Sequence, residues 1–493
     1  MIVAGLDVGT TGCKIVLYNQ EGELLQTYYQ EYEVLRNNGR HEINFADVKN
    51  GVLALLGQAA KAYKIDALGV TSFGETFAML DEEDNILAPS MLYTDPRGQE
   101  ECEALCAALG AEWLTQKAGV APNAMYSIYK ILWLKNQNPR AFQKCKRILL
   151  GEDYIVYTLT GVAQIDYSLA ARTAAFDVRN KCWSAEILSA AGVDAALLSK
   201  PVPAGTVAGK LTPAMQANLG IDYPIVVVNG CHDQVAGMIG AGVFDSTCAM
   251  DGTGTVECIP VILKDPPRDP AFYGDGYCVV PYLGEDYVCY AFSFTGGATL
   301  KWFRDTIAGV EVAEAKSTGK NVYALLDSRV PQGPTGILVL PHFAGAATPY
   351  MDNDSKAAFL GVTLETNRYD LYKALMEGTS YEMLLNFSRL QRFTGRVEGL
   401  RATGGGATSD VWLQIKADIL GCNITALDCG EVGATGTAAL AGVAVGAFQN
   451  LQSAVGKMVA VRRVVTPNPE NSAIYAALYK KYEGLYNAVR PML

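Results

Sequence analysis

Histidine is scarce in this sequence and cysteine is never paired. Only three histidines occur in 493 residues, and none of the twelve cysteines stands in a C-x-x-C pair or beside histidines at metal-ligand spacing. That excludes a metal centre built on such spacing. It leaves Cys13, Cys102, Cys106, Cys182 and Cys422 as small apolar residues suited to a reducing compartment. No apolar run approaches the roughly 20 residues needed to cross a bilayer. The opening run, Met1 to Leu6, is strand-like and lacks the basic start and long apolar stretch of an export signal. The expectation is therefore a cytoplasmic protein with no membrane partner. Pro-rich and Ser-rich linkers are also missing. With 50% apolar and only 18% charged residues, disorder is excluded and a globular chain is expected, too long for one core and so of at least two domains. The net charge of -11 argues against a nucleic-acid partner, a local basic patch at Lys144 to Arg147 being the one place left open. Any phosphate it binds is expected to be held by backbone amides and a metal ion.

What the chain does contain is a repeated turn. Ile2 to Asp7 reads as a strand, Gly9-Thr10-Thr11-Gly12 as a loop, and Lys14 to Tyr18 as a second strand, followed by a turn at Asn19 to Gly22 and a third strand beginning Glu23-Leu24-Leu25. A dinucleotide fold would place a helix after the glycines and a P-loop would close them with Gly-Lys-Ser/Thr, so both familiar phosphate motifs fail. The pattern returns 243 residues later, where Asp251 leads into Gly252-Thr253-Gly254-Thr255 and a further apolar run. Each half then holds a later strand that breaks into glycine and a helix: Ile225 to Gly230 before Gln234 to Gly242, and Leu400 to Thr403 before Gly404-Gly405-Gly406. The chain is internally duplicated, with a domain boundary near Gly242 to Asp245, giving domains 1–243 and 244–493. Helical spacing covers Val48 to Tyr63, Ser127 to Lys135, Tyr369 to Phe393 and Ala434 to Ala447, the last almost wholly Ala, Gly and Val.

Two Gly-Thr turns offer free N–H groups and hydroxyls where consecutive phosphates of a nucleotide would be gripped, and Asp7 adds a carboxylate for a hydrated magnesium ion. A single copy would more often be a plain β-turn; two copies at half-chain spacing are far harder to dismiss. Gly404 to Ser409 suits an adenosine seat, or simply a capped strand–helix connection. Asp233 follows a continuous apolar strand and opens a helix, where ligands enter such sheets. With the ordinary carboxylate pKa near 3.9 it would be ionised at neutral pH and able to accept the proton of an alcohol during phosphoryl transfer; its other reading is an N-cap. His232 is given a structural or supporting role.

Taken in order, Gly5 to Thr11, Tyr93-Thr94-Asp95-Pro96-Arg97, Lys130 to Leu134, Asp153-Tyr154 with Leu159-Thr160-Gly161, His232-Asp233-Gln234, Gly252-Thr253-Gly254 and Gly404 to Ser409 resemble the FGGY carbohydrate kinases over nearly the whole chain. The resemblance implies an α/β, duplicated ribonuclease-H-like fold of the actin superfamily, two domains closing over ATP, magnesium and a sugar. It implies Asp233 as catalytic base and Asp7 as the magnesium-side residue. The first phosphate loop would be Thr10 and Thr11 and the second Gly252 and Thr253. Gly296 and Gly297 would form a further nucleotide segment, and Gly405, Gly406 and Ala407 the adenosine turn. Substrate contacts would be Gly74, Glu75, Asp95, Arg97, Asp233 and Gln234.

The sugar is read less directly. Xylulose kinases of the family usually carry Met-His after a Ser-Gly-Gln run and glycerol kinases Arg-Glu, whereas this chain has Ser72-Phe73-Gly74-Glu75-Thr76. A carboxylate at Glu75 suits a neutral polyol or ketose, a pentulose such as xylulose being favoured, with glycerol, a hexulose or gluconate as alternatives; gluconate would need Arg97 or Lys130 to offset the repulsion. Asp95 and Arg97 either contact the sugar or form an ion pair supporting their loop. Dimers common in the family leave a homodimer open. The rival class is an actin-like ATPase or sugar sensor without kinase activity.

Overall fold

The computed structural model describes residues 1–37 and 39–493. In the first half, the strands of the main sheet are β1 (Ile2–Val8), β2 (Gly12–Asn19), β3 (Leu24–Glu31), β4 (Ala67–Ser72), β5 (Val207–Lys210) and β6 (Val226–His232). Their order in one sheet is β5-β6-β4-β1-β2-β3. The helices that concern the site are α1 (Phe45–Ala62), α2 (Ser127–Gln137), the short α3 (Tyr167–Ala171) and α4 (Asp233–Ala241). In the second half β7 (Cys248–Thr253), β8 (Glu257–Leu263), β9 (Val279–Pro281), β10 (Tyr287–Ser293), β11 (Gly399–Thr403), β12 (Asn423–Asp428) and β13 (Ala460–Val465) form a second sheet in the order β9-β10-β8-β7-β11-β12-β13. Its helices include α5 (Gly297–Thr306), α6 (Arg368–Thr394), α7 (Asp410–Leu420) and α8 (Val432–Ala444).

The duplication read from the Gly-Thr turns is a duplication of sheets. In the first, β6, β4 and β1 run parallel, β2 is antiparallel to β1 and β3 antiparallel to β2; in the second, β12, β11 and β7 run parallel, β8 is antiparallel to β7 and β10 antiparallel to β8. A crossover helix lies between the antiparallel and parallel parts of each, α1 in one and α6 in the other. The helix α1 is capped by Asn44, which accepts from the Ala46 amide at 3.0 Å, and it lays Val48, Val52, Leu55 and Leu56 over Ala4, Leu6 and Val8 of β1. The long α6 opens with a capping box between Asn367 and Asp370. The third strand of the meander runs on to Glu31, six residues past Leu25, because β3 is an edge strand held by its ladder to β2 and not by burial.

α4 and α8 hold equivalent places after the last parallel strand of each half, and they cross at their glycines. A Cβ on Gly240 would lie 1.9 Å from the Val432 carbonyl oxygen, and one on Gly436 2.0 Å from that of Ala236. The first sheet receives α8 just as closely: Cβ atoms on Gly5 and Gly69, side by side in β1 and β4, would come within 1.8 Å and 2.3 Å of the Ala434 and Thr437 carbonyl oxygens. The Ala/Gly/Val composition of α8 is thus a requirement of backbone contact. A helix from the second half of the sequence packs on the first sheet, while α4 of the first half reaches the strands of the second. Both helix N-termini, with their positive dipole ends, meet beside Asp7, since a Cβ on Gly433 would be 3.2 Å from Asp7 Oδ2 and 3.9 Å from the Asp233 carbonyl oxygen.

Candidate active site

The first hairpin closes at the Val8–Cys13 pair, leaving Gly9 to Gly12 as the tip, bridged by the Gly9 amide to the Gly12 carbonyl at 2.9 Å. Thr10 is half-buried and Thr11 exposed. Asp7, two residues before the tip, is pushed up to about 6, chiefly by burial, with Lys14 opposing and Glu431 adding to the rise. Lys14 is itself paired with Glu431.

The second hairpin closes at Thr253–Glu257, so its tip is Gly254-Thr255-Val256, all exposed. Matched on their closures, Gly9-Thr10 corresponds to Gly254-Thr255, two residues beyond the pair expected from the sequence repeat. Gly252 and Thr253 belong to strand β7. Thr253 is 1% exposed; its hydroxyl donates to Asp251 Oδ1 at 2.9 Å and accepts from Lys416 Nζ at 2.5 Å. Gly296 and Gly297 brace the tip through their amides, to the Thr255 carbonyl at 2.9 Å and the Gly254 carbonyl at 2.8 Å. The glycine turn is fitted against β7: a Cβ on Gly404, at φ +79°, would fall 2.6 Å from the Thr253 carbonyl oxygen. Beside it lies a cavity of about 530 Å³ lined by Gly254, Thr255, Gly297, Gly405, Gly406 and Ser409, with Asn321, Tyr323, Asp327 and Trp412 on its other walls. Ala407 does not line it; that residue is buried, and its carbonyl accepts from Arg462 at 2.7 Å. Asn321, Tyr323 and Asp327 come from a short helix and its cap, with no motif that could have signalled them.

Asp233 is the first residue of α4, one place inside the cap, which is His232. Its Oδ1 accepts from the Gln234 amide at 2.6 Å and lies 3.2 Å from His232 Nε2, and 32% of the side chain stays exposed. The ordinary carboxylate pKa expected from sequence does not hold there. Burial first, then the charge of Asp7, push the carboxyl up to about 7. Glu75 follows β4 in the left-handed region at φ 65° and is buried. Its Oε1 accepts from Arg172 Nε at 2.6 Å; burial raises this carboxyl and Arg172 draws it back. Sequence reasoning missed Arg172, the residue that closes α3, because it lies 97 positions away in no motif. Its guanidinium also stacks 5.1 Å from the Tyr126 ring centre and donates to Cys278 Sγ of the second half at 3.4 Å. Gly74 leaves room for this pair, since a Cβ there would sit 3.2 Å from both Arg172 Cγ and His232 Cδ2.

Asp95 and Arg97 form a brace. The carboxylate, 2% exposed, accepts from Arg97 Nε at 2.8 Å, from its NH2 at 2.7 Å and from the His41 amide at 2.8 Å. Arg97 also donates to Glu42 at 2.6 Å and lies over Trp133, and Lys130 Nζ donates to the Asp95 carbonyl at 2.6 Å. Among the described residues no three His, Cys, Asp or Glu side chains converge to chelate a metal, and no helix is long and apolar enough to cross a membrane.

The N- and C-terminal domain models of the FGGY family of carbohydrate kinases match residues 2–240 and 253–445. The chain belongs to this family. As an FGGY kinase it is similar to the xylulose kinase of Bacillus subtilis, 26% identical over 99% of this chain and 97% of that one. It is equally similar to the gluconokinase of the same organism, 26% identical over 96% and 93%. A ligand-bound xylulose kinase structure from Lactobacillus acidophilus superposes with a TM-score of 0.90 at 25% identity, covering 99% and 98% of the two chains. The two matched sheets with their cleft are the duplicated actin/hexokinase-like fold, and this FGGY kinase is an enzyme that phosphorylates a sugar, in a family that takes ATP as the donor.

Proposed function

We propose that this kinase phosphorylates a neutral ketose, a pentulose such as xylulose, with Asp233 as the catalytic base. The observation that carries the reading is the carboxyl of Asp233, partly open and raised to about 7 at the mouth of two converging helix N-termini. A base whose pKa lies near the working pH combines the deprotonated form with useful affinity for the proton. As the sugar oxygen bonds to the γ-phosphorus, its proton passes to Asp233, the bridging bond to the β-phosphate breaks and ADP leaves. Adenosine occupies the 530 Å³ cavity against Gly405 and Gly406, and the tips Thr10-Thr11 and Gly254-Thr255 hold the phosphates from opposite sides. Closure of domains 1–243 and 244–493 about α4 and α8 keeps water from the phosphoryl group.

The residues present fit a magnesium ion. Asp7 is a half-buried carboxyl whose charge its surroundings disfavour, and a lone carboxylate with phosphate oxygens and waters is how magnesium is commonly held. When bound, the ion supplies charge neutralisation at the β- and γ-phosphates. The preference for a neutral sugar rests on charge: Asp233 stands with the carboxylates Asp7 and Glu75 against Arg172, while Lys14 is paired with Glu431 and Lys130 is turned to the Asp95 carbonyl, so an aldonate would meet net repulsion. Asp95 and Arg97 support the substrate loop without touching sugar. ADP release with magnesium and ATP, measured against D-xylulose, D-ribulose, glycerol and D-gluconate, tests this directly. A neutral ketose should stimulate most, and Asp233→Asn should lower kcat by about 10²–10⁴-fold with ATP affinity kept. Preference for gluconate, or an Asp233→Asn enzyme turning over normally, would overturn it.

A further inference from the structure

Two polar atoms beside Asp233 have no partner. His232 Nδ1 and the Tyr290 hydroxyl are both buried without a hydrogen bond, although His232 is only 7% and Tyr290 only 4% exposed. They belong to different halves of the molecule, His232 ending β6 and Tyr290 lying in β10, and their rings meet edge to face with centres 6.1 Å apart. Leaving such groups unsatisfied is costly, so a built pair of them calls for an occupant.

Their chemistry is complementary. Burial and the neighbouring Arg172 keep the His232 imidazole neutral. Placing the single N–H of the neutral ring on Nε2, the edge 3.2 Å from Asp233 Oδ1, leaves Nδ1 as a lone-pair acceptor. The tyrosine supplies an O–H donor. One alcohol group placed between them would donate to Nδ1 and accept from Tyr290, satisfying both at once. Arg172 and Cys278, themselves in contact at 3.4 Å, are charged and polar neighbours of Tyr290, and a Cβ on Gly74 would come within 3.2 Å of His232 Cδ2.

We infer that His232 Nδ1 and Tyr290 together bind one non-reacting hydroxyl of the sugar, a specificity contact assembled from both halves of the molecule. It rests on Asp233 being the base that faces the reacting hydroxyl. The substrate class it selects is a polyol or ketose carrying a hydroxyl close to the one phosphorylated, and because Tyr290 comes from the second sheet, the contact completes only when the two halves are together.

The test pairs protein and substrate deletions. With D-xylulose, or whichever neutral ketose the substrate panel selects, kcat and KM are measured for the parent sugar and for its monodeoxy analogues. Tyr290→Phe removes one oxygen and keeps the ring; His232→Gln keeps a donor for Asp233 and loses the Nδ1 acceptor. Each variant is expected to raise the sugar KM by about tenfold, and both should lose their effect on the same single deoxy analogue. Variants that leave the sugar KM unchanged, or that depress all analogues equally, would overturn the inference. A panel in which no sugar is phosphorylated by the parent enzyme would instead remove the reading of Asp233 on which it stands.

Discussion

The two hairpin tips hold equivalent places in their sheets and differ in length, four residues against three, and in where their acid points. In the first, Asp7 lies two residues before the tip, on the side of β1 that meets the N-termini of α4 and α8, and Lys14, the cation opposite it in the ladder, is shared with Glu431. In the second, the corresponding position is Gly252, and the acid stands one residue earlier, at Asp251. Side chains alternate along a strand, so this single step turns the carboxylate away from the cleft and into the interior. There Lys416 of α7 meets it at 2.5 Å and also reaches Glu257 at 2.8 Å, all three groups being at most 2% exposed. One copy of the motif holds a charge ready for a ligand; the other has turned the charge into part of its core.

The sharpest way to break this comparison is to remove the internal cation. Lys416→Met leaves Asp251 and Glu257 buried without a counter-charge, and the expected loss is about 3–5 kcal/mol, read as a lower urea midpoint. An unchanged midpoint would mean that the carboxyls simply take up protons and that Lys416 is no anchor for the second loop. The equivalent deletion in the first loop should do the reverse to stability. Asp7 binds its proton more tightly folded than unfolded, so between about pH 4 and pH 6 the folded state holds the extra proton and stability falls as pH rises through that window. Asp7→Asn should therefore stabilise the ligand-free enzyme by ~1–2 kcal/mol at pH 7.5 and flatten its stability profile above pH 4, while kcat falls about 100-fold or more. A variant less stable than the parent at pH 7.5 would assign Asp7 a structural role like that of Asp251.

The sequence made the duplicated topology legible because Gly-Thr tips and strand-to-glycine breaks recur in order, and those are local signals. It misplaced the second tip because Gly252-Thr253 resembles Gly9-Thr10 in letters, whereas the loop position is set by where the ladder closes, Val8 on Cys13 and Thr253 on Glu257. Asp233 stood out as a strand-end acid, yet its raised pKa depends first on its burial and then on Asp7 lying beside it across the fold. Arg172, Cys278 and Tyr290 carry no motif at all. They reach Glu75 and His232 only through tertiary packing, which no spacing rule encodes. The Asp95–Arg97 pair was visible as chemistry, but its partners Glu42 and the His41 amide, brought to it by the fold, were not.

The smallest expected effect is also the finest division between the two hairpins. Thr255 has an exposed hydroxyl at the tip facing the cavity, whereas the hydroxyl of Thr253 lies between Asp251 and Lys416. Replacing each by valine keeps the β-branched shape and removes one oxygen. If the tip is Gly254-Thr255, Thr255→Val should raise KM for ATP about fivefold, the worth of one hydrogen bond of about 1 kcal/mol, with the urea midpoint unmoved. Thr253→Val should lower the midpoint by a similar energy and leave KM for ATP in place. The opposite pattern would return the nucleotide contact to Thr253 and align the two loops by sequence after all, and with them Asp7 and Asp251 would become partners in one function instead of opposites.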